Sequence, residues 1–343
     1  MADVTAPQRS LLALAALVAL AALLPASAFA AKPAPGTLTQ LQGKQGCIVD
    51  RSSKPGTCAV GRGLRGAGPF MGSEAVAVSP DGRNVYVAAF DSDAIATFSR
   101  NPKSGALTQP KGTAGCISAK GRAGCAKVAA FDGPNSVAVS PDGRNVYAGA
   151  FFGSAVVAFS RDPSSGALTQ LAGTAGCIAA ATVGCATGIA LGSIEGLAVS
   201  PDGASVYAAA AASNALTELS RDPSTGALTQ LAAPNSCISN APLTGCVEGR
   251  ELGGANAVAV APGGESAYVT SFLSNSVTAF DRTVGTGVLA QKEATNACLV
   301  FLRSAGCSFG RAMLAPEGLD VSPDGRNVYV ASIGTGAIDV LAR

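Results

Sequence analysis

Val137-Ala138-Val139-Ser140-Pro141-Asp142-Gly143-Arg144-Asn145-Val146-Tyr147 is the stretch that decides the fold. Val137 and Val139 alternate with small residues, which is the period of a half-buried strand. Pro141 presets φ, Asp142 bonds back to its own backbone, and Gly143 accepts positive φ, so the chain reverses into a second strand from Asn145. The same turn stands at Pro80, Pro201 and Pro323, with Ala261-Pro262-Gly263-Gly264 in the remaining slot, so the unit recurs five times at about 61 residues. Units of this size cannot bury their faces alone and must stack or close into a ring.

Working outward from Tyr147, a short link leads to a third strand, Ala155 to Ser160. Arg161-Asp162-Pro163 opens another turn, and a fourth strand runs from Ala167 to Leu171. Four short antiparallel strands per unit describe a propeller blade. The chain stops at Arg343, in register with the end of a third strand (Arg100, Arg161, Arg221, Arg282), while Gly36-Thr37-Leu38-Thr39-Gln40 matches a fourth strand. The expected architecture is therefore an all-β propeller of five four-stranded blades, the last closed by the N-terminal strand so that no edge is left open.

Residues 1–30 read as a secretory signal peptide: Arg9, an apolar run from Leu11 to Leu24, and Ala28-Phe29-Ala30 before the cleavage point. Residues 31–343 then form one propeller domain, secreted or periplasmic, without a transmembrane segment in the mature chain and expected to be monomeric. Ten cysteines fall in five pairs: Cys47 and Cys58, Cys116 and Cys125, Cys177 and Cys185, Cys237 and Cys246, Cys298 and Cys307. One local disulfide per unit is the pattern that treats every copy alike, each worth about 2.5–3 kcal/mol by loop-closure entropy.

Composition narrows function. There is no histidine, which removes Ser-His-Asp and Cys-His nucleophile systems and His-ligated metals. The net charge of +2 is spread along the chain and Trp is absent, so nothing suggests nucleic-acid binding. Five residues before the Ser of each turn stands a polar residue: Glu74, Asn135, Glu195, Asn256 and Glu317. Ring closure brings all five to the mouth of the central channel, as a ligand-binding ring or as polar groups that satisfy strand-end backbone. Three carboxylates there, Glu74, Glu195 and Glu317, either raise a pKa or share a cation, and an oxygen-only set suits Ca²⁺. Asp91, Asp93, Asn214 and Asn275, in the links between second and third strands, are expected on the same face. The turn aspartates (Asp81, Asp142, Asp202, Asp324) serve the turns, the recurrent tyrosines (Tyr86, Tyr147, Tyr207, Tyr268, Tyr329) pack between blades, and the recurrent arginines pair with turn acids or solvent. The basic residues of the cysteine loops, Lys120, Arg122, Arg250, Arg303 and Arg311, read as solvated surface.

Val-Ser-Pro-Asp-Gly-x-x-Val-Tyr-Val-Ala, a small-residue link and Thr-Gly-Ala-Leu-Thr resemble the YVTN-type repeats of lactonase-family β-propellers, which include 6-phosphogluconolactonase-like proteins. The resemblance implies seven blades and a site with His, Arg and Glu; five copies and no histidine depart from it, so no catalytic residue is carried over. The Glu/Asn alternation is similar to the calcium centre of gluconolactonase-like propellers, which have six blades. Two functions follow as expectations. The first is a module binding a small molecule or an extracellular protein or polysaccharide through its loops and Glu/Asn ring. The alternative is a lactonase-type hydrolase, Ca²⁺-assisted, using a channel glutamate to activate water.

Overall fold

The computed structural model describes residues 38–65, 75–302 and 304–343. The expected signal segment, Glu74 and Arg303 lie outside them. Met1–Gln40 forms one unit, of which only Leu38–Gln40 is described, and Leu41–Arg343 forms the second, to which everything below refers. Among the described residues there is no α-helix, and no helix long and apolar enough to cross a membrane.

Blade 2 shows the unit. Its first strand, Pro134–Val139, pairs antiparallel with the second, Asn145–Ala150, which pairs with the third, Ala155–Arg161. The outer edge of the third strand is then divided. Leu168–Gln170 pairs with its end (Phe159–Arg161), and Cys177–Ala179 pairs with its start (Ala155–Val157). Ala186–Thr187 adds a sixth strand, parallel to the cysteine strand. Blades 1, 3 and 4 repeat this six-stranded sheet, so the expectation of four strands is corrected.

The cysteine loops are corrected with it, since they are strands rather than loops. In blades 1 to 4 the first cysteine of the pair opens the fifth strand and the second stands just before the sixth, so the bridge ties the two together. All five expected bridges are present: Cys47 is bonded to Cys58, Cys116 to Cys125, Cys177 to Cys185, Cys237 to Cys246, and Cys298 to Cys307. No described cysteine is free.

The core lies between sheets. Tyr86, Ile95 and Ile117 of blade 1 pack with Val137, Val146, Val157 and Phe159 of blade 2, and the same pattern joins blades 2 to 3 and 3 to 4. Three polar clamps accompany it. In the first, Arg161, buried, reaches back from blade 2 into blade 1. Its Nε donates to Tyr86 Oη (2.9 Å), and Nη2 donates to Asp81 (2.7 Å) and to Asn84 Oδ1 (2.6 Å). Tyr86 in turn donates to Gly166 O of blade 2 (2.9 Å). Arg221 holds Tyr147, Asp142 and Asn145 in the same way, and Arg282 holds Tyr207, Asp202 and Ser205. In blade 4 glycine replaces the turn aspartate, and Arg343 bonds Glu265 and Ser266 instead. Burial pushes the Asp81 carboxyl up, but hydrogen bonds from Ser79 and Arg161 outweigh it and hold the pKa at about 2. Burial pushes the Tyr86 and Tyr147 hydroxyls up to about 12, so they stay neutral donors.

The second clamp sits at the other end of the sheets. Asp93, Asn214 and Asn275 adopt left-handed φ (47°, 50° and 51°) in the links between second and third strands. Each side-chain oxygen accepts a backbone N–H from the approach to the next blade: Gly133, Gly254 and Ala315 at 3.1, 2.8 and 2.8 Å. Asp and Asn tolerate this backbone region best among residues with side chains. The third clamp uses the glutamine that ends each fourth strand. Gln170 accepts from Ala129 N (2.9 Å) and donates to Ala129 O and Gly176 O; Gln230 and Gln291 bond the preceding blade's sixth-strand extension likewise, and Gln109 bonds Arg62 in the same way.

The ends of the array differ. The sheet of Pro316–Val321, Asn327–Ser332 and Ala337–Ala342 has three strands, and Leu38–Gln40 form none. Tyr329 is 42 % exposed where its counterparts Tyr86, Tyr147 and Tyr207 are fully buried, and Val76 is 62 % exposed where Val137 is 8 %. The separate parallel pair Ile48–Asp50 and Ala59–Gly61 covers the outer part of blade 1, with Ile48 and Leu64 against Val85, Ala96 and Phe98. It occupies, relative to blade 1, the place that each cysteine pair of strands has relative to the blade after it.

Arg221→Met keeps an apolar stem but removes four hydrogen bonds, to Tyr147, Gly203, Asp142 and Asn145. A loss of about 3 kcal/mol is expected, because the partners are left half-satisfied at a buried interface. Urea unfolding followed by circular dichroism measures it; an unchanged midpoint would contradict the clamp's role.

Candidate functional site

The first strands stand side by side, and the polar position opens each of them just above the second strand's end. Asn135, Glu195, Asn256 and Glu317, from blades 2 to 5, line one cavity of about 520 Å³, together with Ala75 of blade 1. Four of the five expected ring positions are thus brought together; Glu74 lies outside the described residues. Gly196 permits the close approach beside Glu195, since a Cβ there would stand 2.5 Å from Asn256 O.

The four positions are not equivalent. Asn256 is 7 % exposed and its side chain is committed at both ends. Its Nδ2 donates to Pro316 O of blade 5 (2.8 Å), while its Oδ1 accepts from Thr270 Oγ1 (2.8 Å) and from Ala257 N (3.1 Å). At this position the polar residue satisfies strand-end backbone. Glu317 is exposed, and Asn135 and Glu195 are half-buried. Among the described residues no three Asp, Glu or Cys side chains are grouped to hold a metal ion. With the Asn256 oxygen engaged, the other described oxygen donors lining this cavity are Glu195, Glu317 and Asn135, too few for a Ca²⁺ site of six to eight oxygens without Glu74 and water.

A second cavity, of about 440 Å³, adjoins the first and shares Glu195 and Glu317 with it; Phe151, Ala211, Ala212, Phe272 and Leu273 give it an apolar lining. No Lys or Arg is among the described residues lining either cavity. The basic side chains gather elsewhere. Arg51, Arg62, Arg65, Lys120 and Arg122 line a recess of about 430 Å³ beside the disulfide of Cys116 and Cys125, together with Asp50, Asp91 and Asp93. Arg62 is spent there on the carbonyls of Pro110 and Gly112 (2.8 and 3.0 Å), and Lys120 faces Asp93 at 3.9 Å. Asp93, Asn214 and Asn275, expected on the channel face, serve the clamps between blades.

The most displaced carboxyl among the described residues is one that sequence reading missed. Glu218, in the third strand of blade 3, is 1 % exposed. Burial pushes it up to about 8, against one hydrogen bond from Leu289 N to its Oε2 (2.9 Å), and Oε1 has no partner among the described residues. It lines neither channel cavity. The counterparts Thr97, Ala158, Ala279 and Val340 carry no charge, so only comparison along the repeat singles it out.

Because its folded pKa is raised, the stability Glu218 contributes is complete below its unfolded pKa and is lost as pH rises towards 8. Glu218→Gln keeps an acceptor for Leu289 N and cannot ionise. The variant should gain on the wild type between pH 5 and pH 9 in thermal unfolding; parallel curves would show that Glu218 does not titrate across that range.

The family model described as "Lactonase, 7-bladed beta-propeller" matches residues 72–183. A search of curated proteins finds no match. Among solved structures the chain is similar to a putative 6-phosphogluconolactonase from Bacteroides uniformis, at 20 % identity and TM-score 0.51, covering 81 % of this chain and 69 % of that one. It is similar to a functionally unknown protein of Desulfotomaculum acetoxidans, at 12 % identity and TM-score 0.52, covering 79 % and 69 %. A periplasmic gluconolactonase of Pseudomonas aeruginosa matches at 16 % identity and TM-score 0.48, covering 81 % and 74 %. At their identities the first two speak for the fold alone. The resemblance read from the Ser-Pro-Asp-Gly repeats is borne out: residues 72–183 match the model of the lactonase β-propellers, and the same antiparallel strand pairing recurs in the blades that follow.

Proposed function

We propose that this chain is a lactonase-type hydrolase acting on an uncharged lactone at the channel mouth. The observation that carries the reading is the single cavity shared by Asn135, Glu195, Asn256 and Glu317, without a lysine or arginine among its described lining. A phosphorylated substrate would need cations there; a neutral ring does not. Glu195 or Glu317 takes a proton from water, the water oxygen attacks the lactone carbonyl, and the ring C–O bond breaks as the other carboxyl protonates the leaving alkoxide, giving a hydroxy acid. Asn135 would hydrogen-bond the substrate, while Asn256 holds blade 5 against blade 4. The lactonase-like fold of the comparisons supports this reading over the interaction module. In a Ca²⁺-assisted form Glu195 and Glu317, with Glu74, would hold the ion, and its charge would polarise the lactone carbonyl. The five disulfides are compatible with an oxidising compartment, secreted or periplasmic.

We propose also that the ring closes with five blades, Arg100 meeting Asp324, Asn327 and Tyr329. Small-angle scattering of the monomer should then fit a closed disc; the profile of an open arc overturns closure.

Turnover is tested with δ-gluconolactone and its 6-phosphate, with EDTA and with added Ca²⁺. Preference for the unphosphorylated lactone is expected, with kcat lowered at least about 100-fold in the Glu195→Gln, Glu317→Gln double variant. Unchanged turnover in that variant removes the mechanism, and binding without turnover restores the module.

A further inference from the structure

The links between second and third strands begin with a pair of residues that the repeat does not hold constant. The pairs are Phe90-Asp91, Phe151-Phe152, Ala211-Ala212, Phe272-Leu273 and Ile333-Gly334. Blade 3 alone carries two alanines. They stand between two bulky neighbours, and the missing side-chain volume is the second cavity, about 440 Å³, walled by Phe151 on one side and by Phe272 and Leu273 on the other. The floor of this notch is fixed by Ala211 N to Ser193 O (3.0 Å) and Ala212 N to Gly192 O (3.1 Å). One wall is braced by aromatic packing, with Phe151 against Phe90 and Phe152 at ring-centroid distances of 5.9 and 5.2 Å. The other wall leaves large apolar side chains uncovered, Leu273 being 68 % exposed.

Glu195 and Glu317 border both this notch and the polar channel. A molecule that placed a polar head at these carboxylates would lay whatever extends from it along Ala211 and Ala212. A tail there would cover Phe272 and Leu273, and the acidic rim disfavours an anionic head. We propose that the notch is a specificity pocket for an apolar tail on an uncharged or cationic ligand whose head sits at the Glu195–Glu317 rim. This rests on the channel-mouth reading above and adds to it the shape of the preferred substrate: a lactone whose ring carries an alkyl or aryl substituent.

The test compares δ-decalactone with δ-valerolactone, which share the reacting ring and differ by a pentyl tail, by calorimetric titration of the mature chain. The tailed lactone should bind at least about tenfold tighter, since each buried methylene favours transfer from water. Ala212→Phe, which fills the notch, and Phe272→Ala, which removes a wall, should each bring the two affinities together; the second variant serves if the first does not fold. Equal affinities in the wild type, or a preference that survives both variants, overturn the proposal. If neither lactone binds, octyltrimethylammonium is titrated: binding weakened by Ala212→Phe or Phe272→Ala supports the notch, and no binding, or binding indifferent to both variants, overturns it. A tail preference without hydrolysis sinks only the hydrolytic reading.

Discussion

Arg161, Arg221 and Arg282 each leave their own blade and complete the preceding one, taking its turn aspartate, its tyrosine hydroxyl and the residue two before that tyrosine. One buried guanidinium thus organises each of these interfaces. A planar fork of donors suits this task where an ammonium would not. The aspartate is bound from its own side as well, by Ser79 Oγ (2.5 Å) and Arg83 N (3.0 Å) in blade 1. The Pro-Asp-Gly turn is thereby both a hairpin and a socket, which is why its acid, its tyrosine and the later arginine recur together.

Much of this was legible because a repeat exposes its own rules. The turns, the cysteine pairing, the tyrosines between blades and the pairing of arginines with turn acids could all be read from positions that the copies keep. The strand number could not. Cys177–Ala179 and Ala186–Thr187 are three and two residues long, too short for a period-two pattern to register, and they are held by a divided edge that only the register shows. The left-handed backbone at Asp93, Asn214 and Asn275 was equally hidden, since a polar residue in a loop reads as solvent-facing until its N–H partner in the next blade is known.

The candidate site has the opposite character, residing in the positions where copies disagree. Glu195 and Glu317 share their slot with Asn135 and Asn256, and of these Asn256 proves to be held by Thr270 and Pro316. Thr270 itself stands where the other blades have Ala88, Gly149, Ala209 and Ala331, none of which has a side-chain hydroxyl, so that hydrogen bond belongs to blade 4. Ala211 and Ala212 matter through volume they lack, a signal that hydrophobic patterning does not carry. The scaffold could thus be inferred from likeness between blades and the chemistry only from difference.

The interface has two unlike halves: an arginine that reaches backward, and a socket built around a tyrosine that receives from the blade that follows. Among the described residues, Arg100 and Tyr329 show these halves without the neighbours that their counterparts have. Such a surface is directional and self-complementary in series. A blade can be gained by duplication or dropped by deletion with no new contact to invent, because the outgoing end of any array already matches the incoming end of any other. Blade number in this architecture is consequently a quantity that recombination can change in whole steps, while the fit between neighbours stays the same.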